Sequence, residues 1–295
     1  MTKLKKISYG VIGGSSSIGK IFFKTYKKKI KFATSFSQKK KNFIKFDILN
    51  DKIEGLLKNK KITHLVIFAA ESKPDECYKF KNKTKKINYL NIIKILKYSL
   101  KKKITPIVFS SEFVFSGKTK NNSEKHKQKP ILEYGKQKLN IEKFVIKNKL
   151  PVIVFRLAKV YGDNLNDNTL ITQSIIDLKK NDSLKVASDQ YFSPVYVRDV
   201  AKAIDLAAKQ NILGLYNLSG PRRYNRYQIV KKINKSFNLN RKIYPVSIDL
   251  FKLPEKRPKD VSLNNNKLKK AINYDFKTVE EVIKIIKKKY SNVSR

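Results

Sequence analysis

The sequence predicts an α/β protein, a doubly wound parallel sheet with a smaller C-terminal part. Three observations lead there. An apolar run at residues 7–12 is followed by Gly13-Gly14-Ser15-Ser16-Ser17-Ile18-Gly19, and helical periodicity then passes through Ile21, Phe22 and Tyr26. Further apolar runs of strand length alternate with helical patterns along the chain. One of them, residues 104–109, stops at Ser110 and Ser111, which places hydroxyls at the carboxyl end of a strand, where open α/β sheets bind ligands.

Composition sets the outer bounds. At 295 residues with 41% hydrophobic content, the chain is long enough for one large domain and a smaller companion. The net charge of +44 invites a nucleic-acid reading, yet only eight of the 67 basic residues are arginine and the lysines are spread over the whole length. Specific nucleic-acid recognition is therefore not expected, although the charge favours anionic ligands. The single cysteine, Cys77, allows no internal disulfide and suits a reducing cytoplasm. Lys3 to Lys6 and the run after them resemble a signal peptide only superficially, because Gly10, Gly13, Gly14 and three serines interrupt the apolar part. No apolar run reaches the roughly 18 residues a membrane helix requires. With two histidines and one cysteine in all, no zinc site is expected, and the metal expectation is none.

The elements follow in order. Strand, glycine turn and helix at residues 7–26 form the context in which a dinucleotide pyrophosphate lies on a helix N-terminus, so Gly13, Ser15, Ser16, Ser17, Ile18 and Gly19 are cofactor-binding candidates. The middle glycine of that fingerprint is replaced by serine, which weakens the signal. A second strand, residues 31–35, ends without the acid that would bond ribose hydroxyls. Thr34, Ser35, Ser37 and Lys39 to Lys41 suit a 2′-phosphate instead, which points to NADPH, with NADH as the other possibility. A third strand at residues 42–46 ends at Asp47 and Ile48. Asp47 either meets the adenine or caps the helix at 53–57. A fourth strand, 64–68, ends in Ala69 and Ala70, small enough for a cofactor's approach. His64 reads as structural. One long helix is expected through Cys77, Ile87, Leu90, Ile93 and Leu96, with Asn88 bonding nearby loop backbone. Residues 151–157 form another strand, a helix lies at about 171–178, a strand and helix lead to Lys209, and 214–218 is a last strand. Beyond Ser219 the pattern turns helical and basic, with Arg222, Arg223 and Arg226 clustered. Residues 1–162, with a returning segment at about 190–218, form the Rossmann-type region. Residues 163–189 and 219–295 form the smaller, substrate-binding part.

The chemistry centres on Ser111, Tyr134 and Lys138. The last two are four apart and share a helix face. A phenol ionises near about pH 10 and acts near neutrality only when a neighbouring cation favours its anion. Lys138 is placed to be that cation, and Ser111 to hold a carbonyl oxygen while Tyr134 supplies a proton. In so lysine-rich a chain Tyr-x-x-x-Lys alone means little. Its pairing with the strand-ending serines and the glycine turn gives it weight.

The motifs resemble those of the extended short-chain dehydrogenase/reductases, in particular the dTDP-4-dehydrorhamnose reductases and their sugar-nucleotide-binding relatives. The resemblance runs nearly end to end. It is carried by Ser110-Ser111-Glu112-Phe113-Val114-Phe115-Ser116-Gly117, by Tyr134, Gly135, Lys138 and Glu142, by Arg156, Val160, Tyr161 and Gly162, by Asp189, Gln190 and Pro194, and by Arg257, Pro258, Leu263, Lys267 and Leu268. It implies an NAD(P)H-dependent reductase of a nucleotide-linked 4-keto-6-deoxy sugar, serving surface polysaccharide synthesis, with a homodimer as the expected assembly. Ser111, Tyr134 and Lys138 would be catalytic, Lys138 also bonding the nicotinamide ribose. Glu112, Phe113, Arg222 and Arg257 would bind substrate, the arginines at the diphosphate; for Arg222 and Arg223 a solvated loop is the equal alternative. Lys159 in place of tryptophan, Phe113 of tyrosine, Glu112 of aspartate and Gln137 of a hydroxyl residue point to an altered sugar pocket. Two other functions are compatible with the fold: an NAD-dependent sugar-nucleotide epimerase or dehydratase, and a non-catalytic dinucleotide-binding regulatory subunit.

Overall fold

The structure is a computed structural model that describes residues 6–36 and 42–290. The chain divides into two compact units, Met1–Ser111 with Glu133–Phe155 and Ala201–Tyr216, and Glu112–Leu132 with Arg156–Val200 and Asn217–Arg295. The division cuts the chain directly after Ser111 and again before Glu133, so the segment at 112–132 packs with the second unit. The returning segment is shorter than the stretch at 190–218.

The first unit is built on strands β1 (Tyr9–Ile12), β2 (Ile30–Ser35), β3 (Ile44–Lys45), β4 (His64–Ile67), β5 (Thr105–Ser111) and β6 (Ile153–Leu157), and on Gly214–Leu218. They form one seven-stranded sheet in the order Gly214–Leu218, β6, β5, β4, β1, β2, β3. The pairs β1–β2, β1–β4, β2–β3 and β4–β5 are parallel. Chain order runs outward in both directions from β1 and β4, so the switch point of a doubly wound sheet falls between them. Continuous burial along β1 and β4 explains their unbroken apolar sequence, since both faces of the sheet are covered. The core gathers Ile12, Leu65, Ile67, Leu96, Val108, Ile141 and Val154.

Around the sheet lie α1 (Ser17–Tyr26), α2 (Ile53–Leu57), α3 (Pro74–Lys79), α4 (Lys81–Lys85), α5 (Asn91–Lys101) and α6 (Glu133–Lys147). Two expectations are corrected here. Strand β3 is two exposed residues long, a short, lysine-bearing sheet edge in place of the run at 42–46. The single long helix is broken into α3, α4 and α5, with a π-helical turn, Lys86–Leu90, before α5. That turn carries the fully buried Asn88, whose amide bonds Glu71 N and O at 2.9 Å each and Gln137 Oε1 at 2.8 Å. Single π-helical turns are rare and occur mostly inside helices, frequently at functional sites.

The second unit has short strand pairs and helices of its own. Val195–Tyr196 runs parallel to Val160–Tyr161, and Tyr224–Asn225 antiparallel to Tyr191–Phe192. Lys242–Val246 runs parallel to Ser183–Ala187, a pairing not expected from the basic, helix-like C-terminal pattern. The helix Arg226–Ser236 opens with a reciprocal cap: Asn225 Oδ1 accepts from Gln228 N at 2.8 Å, and Asn225 N donates to Gln228 Oε1 at 2.9 Å. The cap makes Arg226 the first helical residue. Among the described residues no helix is long and apolar enough to cross a membrane.

Candidate active site

In the first unit the glycine turn follows β1 at the switch point. Gly13 has φ +80°, and a Cβ there would lie 2.7 Å from Ala69 N, so both backbone conformation and the approach of the segment after β4 demand glycine. A Cβ on Gly19 would lie 2.5 Å from Gly13 O, which lets α1 start hard against the turn. Ser16, one of the two candidate positions with Ser17 for the fingerprint's middle glycine, has φ −65°, a value open to any residue. Its Oγ accepts from Gly19 N at 3.1 Å and caps α1, a function glycine has no atom for. Ser15 and Ile18 are half-buried and Ser17 is exposed around this cap. Thr34 Oγ1 accepts from Gly13 N at 3.1 Å, tying β2 to the turn, and Ser35 next to it is buried at the strand's end. Ala69 is half-buried and Ala70 exposed. A tight turn that opens on two glycines and continues in small serines, at the N-terminus of a helix and beside Ala69 and Ala70, fits a dinucleotide's pyrophosphate.

Asp47 is occupied locally. Its Oδ1 accepts from Leu49 N at 2.9 Å and its Oδ2 from Asn50 Nδ2 at 2.7 Å. The expected cap on α2 is corrected: Lys52 holds the cap position there, and Asp47 closes the preceding turn instead. Ile48 packs in the core, and its carbonyl accepts from Asn91 Nδ2 at 2.7 Å. Ser37 and Lys39 to Lys41 lie outside the described residues.

The three proposed catalytic residues are all in the first unit and all buried. Ser110 and Ser111 end β5, and Ser110 Oγ donates to Glu142 Oε1 of α6 at 2.5 Å, joining strand to helix. Tyr134 is the second residue of α6, and Lys138 lies one turn on with its Nζ 5.6 Å from the Tyr134 ring centroid. Burial pushes the Lys138 ammonium down to about 8, with the Cys77 thiol pulling weakly the other way. A lysine so placed carries its charge at neutral pH and bears on the phenol beside it. Gln137 accepts from Asn88 and donates to Thr84 Oγ1 at 3.0 Å, so it holds α6 against α4 and the π-turn within the first unit. Burial raises the Cys77 thiol to about 11, leaving no thiolate nucleophile, and lowers His64 to about 4, a neutral structural ring.

The second unit holds a different cluster. Glu112 opens a 3₁₀ turn, Glu112–Val114, and is 4% exposed, with Oε2 lacking a hydrogen-bond partner among the described residues. Burial pushes its carboxyl up to about 8, although Lys159 and Arg226 pull it down. Crowding by surrounding protein lowers both cations, helped at Lys159 by the nearby Arg226 charge and opposed at each by Glu112, although the Lys159 side chain reaches the surface and Arg226 is half-buried. Arg226 lies 5.9 Å from the centroid of the Phe192 ring. The other arginines differ. Arg223 donates through Nε to Asp260 Oδ2 at 2.8 Å and stacks 3.5 Å from the Tyr191 ring centroid; it is committed internally. Arg222 is exposed, and Arg257 is half-buried with Nη1 donating to Glu255 O at 3.0 Å. Phe113 is half-buried. Asp189 accepts from Ile248 N, Ser247 Oγ and Lys259 Nζ, which makes the Asp-Gln motif a clasp inside the unit.

The RmlD substrate binding domain matches residues 10–291. The chain belongs to this family. Over 170 residues it is 29% identical to methionine adenosyltransferase 2 subunit beta of Rattus norvegicus, covering 55% of this chain and 51% of that protein. The chain thus spans about half the length of that curated relative. Among solved structures, dTDP-4-dehydrorhamnose reductase from Bacillus anthracis in complex with NADP superposes with a TM-score of 0.85 at 22% identity, over 96% of this chain and 99% of that one. A dTDP-4-dehydrorhamnose reductase from Clostridium acetobutylicum gives a TM-score of 0.85 at 23% identity, over 97% and 100% of the two chains. At these identities the likeness is one of fold.

As an RmlD-family chain, this one keeps the expected serine, tyrosine and lysine together in one unit. Its departures from the family motifs fall into two kinds. Gln137 is absorbed by internal hydrogen bonds of the first unit. Glu112 and Lys159 lie, in the second unit, within electrostatic reach of an arginine that the sequence grouped with Arg222 and Arg223. The signal that separates Arg226 from its neighbours is the Asn-x-x-Gln cap, which starts a helix at that residue.

Proposed function

We propose that this chain is a nicotinamide-dependent reductase of a nucleotide-linked keto sugar. The observation that carries the reading is Lys138 Nζ lying 5.6 Å from the Tyr134 ring, behind a strand that ends at Ser111. Ser111 donates to the substrate's carbonyl oxygen. Tyr134 protonates that oxygen as negative charge develops, and the Lys138 ammonium stabilises the phenolate left behind. Gly13, Ser15 to Gly19, Ser35, Ala69 and Ala70 hold the dinucleotide, which supplies the hydride when bound. NADPH is the preferred form on this reading, because β2 ends in Thr34 and Ser35 with no acid. A nucleotide-linked 4-keto-6-deoxy sugar is the first substrate to try. Glu112, Phe113, Arg222 and Arg257 are assigned to substrate binding.

Titration with NADPH and with NADH, followed by nicotinamide fluorescence, tests the cofactor; adding a dTDP-4-keto-6-deoxyhexose tests the chemistry. Tight NADPH binding and then oxidation are expected. Tyr134→Phe should abolish oxidation while keeping NADPH affinity, and a variant that loses both would count against the assignment.

A second reading has one observation in its favour, the similarity to methionine adenosyltransferase 2 subunit beta. On it the chain is a dinucleotide-binding subunit of a larger assembly. NADPH binding without oxidation of any keto sugar, together with co-purification of a methionine adenosyltransferase, would favour that role.

A further inference from the structure

Gln137 replaces the hydroxyl residue of the family motif, and its side chain is fully buried in the first unit. It is one link in a continuous chain of buried hydrogen bonds. Backbone groups fix that chain at one end, where Glu71 N donates to Asn88 Oδ1 and Asn88 Nδ2 donates to Glu71 O, each at 2.9 Å. The same Nδ2 donates to Gln137 Oε1 at 2.8 Å, which turns Gln137 Nε2 towards Thr84 Oγ1 at 3.0 Å and Glu133 Oε1 at 3.3 Å. Thr84 Oγ1 donates in turn to Phe80 O at 3.0 Å. Both amides thus use every donor hydrogen they have, and a buried network so satisfied is stiff. Its ends are the two halves of the site. Glu71 directly follows Ala69 and Ala70, the segment that closes on Gly13, while Glu133 and Gln137 directly precede Tyr134 and Lys138. Beyond Lys138, Glu142 ties the same helix to Ser110 at the end of β5. Lys138 therefore sits between two buried anchors of α6.

We propose that Gln137 is a positioning residue, which through Asn88 locks the dinucleotide-binding segment Ala69, Ala70 and Glu71 to the helix that carries Tyr134 and Lys138. The lock keeps the hydride donor, held by that segment, at a fixed separation from the proton donor on α6. Gln137 touches neither substrate nor cofactor in this role and acts through the backbone of the helix. A serine or threonine at 137 is too short to span Asn88 and Thr84 together, and it would leave an Asn88 N–H buried without its acceptor. Reactants need close alignment, and a displacement of about 1 Å can cost about a hundredfold in rate. The identity of the two donors rests on the reductase reading, whereas the lock is a connection within the first unit.

The test uses the full chain carrying Gln137→Met, which keeps the length of the side chain and removes its hydrogen-bonding atoms. With a dTDP-4-keto-6-deoxyhexose, kcat should fall about 10- to 100-fold while KM and NADPH affinity stay within about twofold, the signature of misaligned reactants and not of lost binding. The isotope effect from NADPH deuterated at the transferred hydrogen should grow, because hydride transfer becomes the slow step. Thr84→Val removes only the far acceptor and should move kcat the same way by a smaller factor; it decides the question if Gln137→Met does not fold. An unchanged kcat in a folded variant that is merely less stable would make Gln137 a packing residue and overturn the proposal. Amide hydrogen exchange reads the lock without turnover. NADPH should slow exchange at residues 69–71 and at 133–147, and in Gln137→Met the protection of 133–147 should drop by about threefold or more while that of 69–71 persists. Equal protection of 133–147 in both proteins would trace it to direct contact with the dinucleotide and overturn the lock. If NADPH binds but no keto sugar is reduced, the reductase reading fails and exchange alone decides the lock; if no dinucleotide binds, both fall.

Discussion

Lys138 is the residue whose protonation should be visible in kinetics. Its ammonium ionises near 8 in place of the usual value near 10.5, because burial disfavours the charge. For a base with a lowered folded-state value, the charged form opposes folding below about pH 8, and that opposition fades as pH rises from 8 towards 10.5. Activity has the opposite dependence, since the charged form is the one that assists Tyr134. The value of kcat/KM should therefore fall above about pH 8, and Lys138→Arg, which stays charged, should lack that limb even if its rate is lower. A limb at the same pH in the arginine variant would assign it to another group. Tyr134 and Lys138 were legible in the sequence because i, i+4 spacing on a helix is a local matter. The lowered lysine was not, since it arises from burial.

At the scale of elements, the glycine turn shows what a motif does and does not require. Gly13→Ala places a Cβ 2.7 Å from Ala69 N at φ +80° and should cost about 1–3 kcal/mol of stability together with dinucleotide binding. Ser16→Gly places a glycine at one of the two candidate middle positions, where φ is −65°, and loses only the cap on α1. It should cost a few tenths of a kcal/mol, about what serine-to-glycine caps cost elsewhere, and leave NADPH affinity intact. Denaturant unfolding and nicotinamide fluorescence measure the two effects. A large loss of NADPH affinity in Ser16→Gly would mean that the serine hydroxyl itself bonds the cofactor. The bonding of Asn88 to loop backbone was legible and is met by Glu71 N and O, but the broken helix before β5 was not, because the widened turn and the bond to Gln137 depend on partners distant in sequence. The pair Ser183–Ala187 and Lys242–Val246 was missed for a related reason: its partners lie far apart in sequence, and lysines on exposed strand positions mask the period of two.

For the whole molecule the outstanding quantity is the net charge of +44. A charge so spread should hold DNA of any sequence at about 50 mM salt and release it by about 200 mM, the steep fall typical of phosphate contacts made by lysine. A gel-shift series with scrambled duplexes measures it, and an affinity that depended on sequence would contradict the distributed-charge reading. The sequence by itself determined the doubly wound class, the serine, tyrosine and lysine set, and the glycine turn, because each is written in local periodicity or short spacing that needs no distant partner. Only the tertiary structure decided that Asp47 closes its own turn, that Gln137 serves the packing of α6, and that Arg223 is neutralised by Asp260 while Arg226 is not. Those outcomes depend on which buried polar group meets which partner across long stretches of chain, and a lysine-rich sequence gives every acid many candidate partners but only folding selects one.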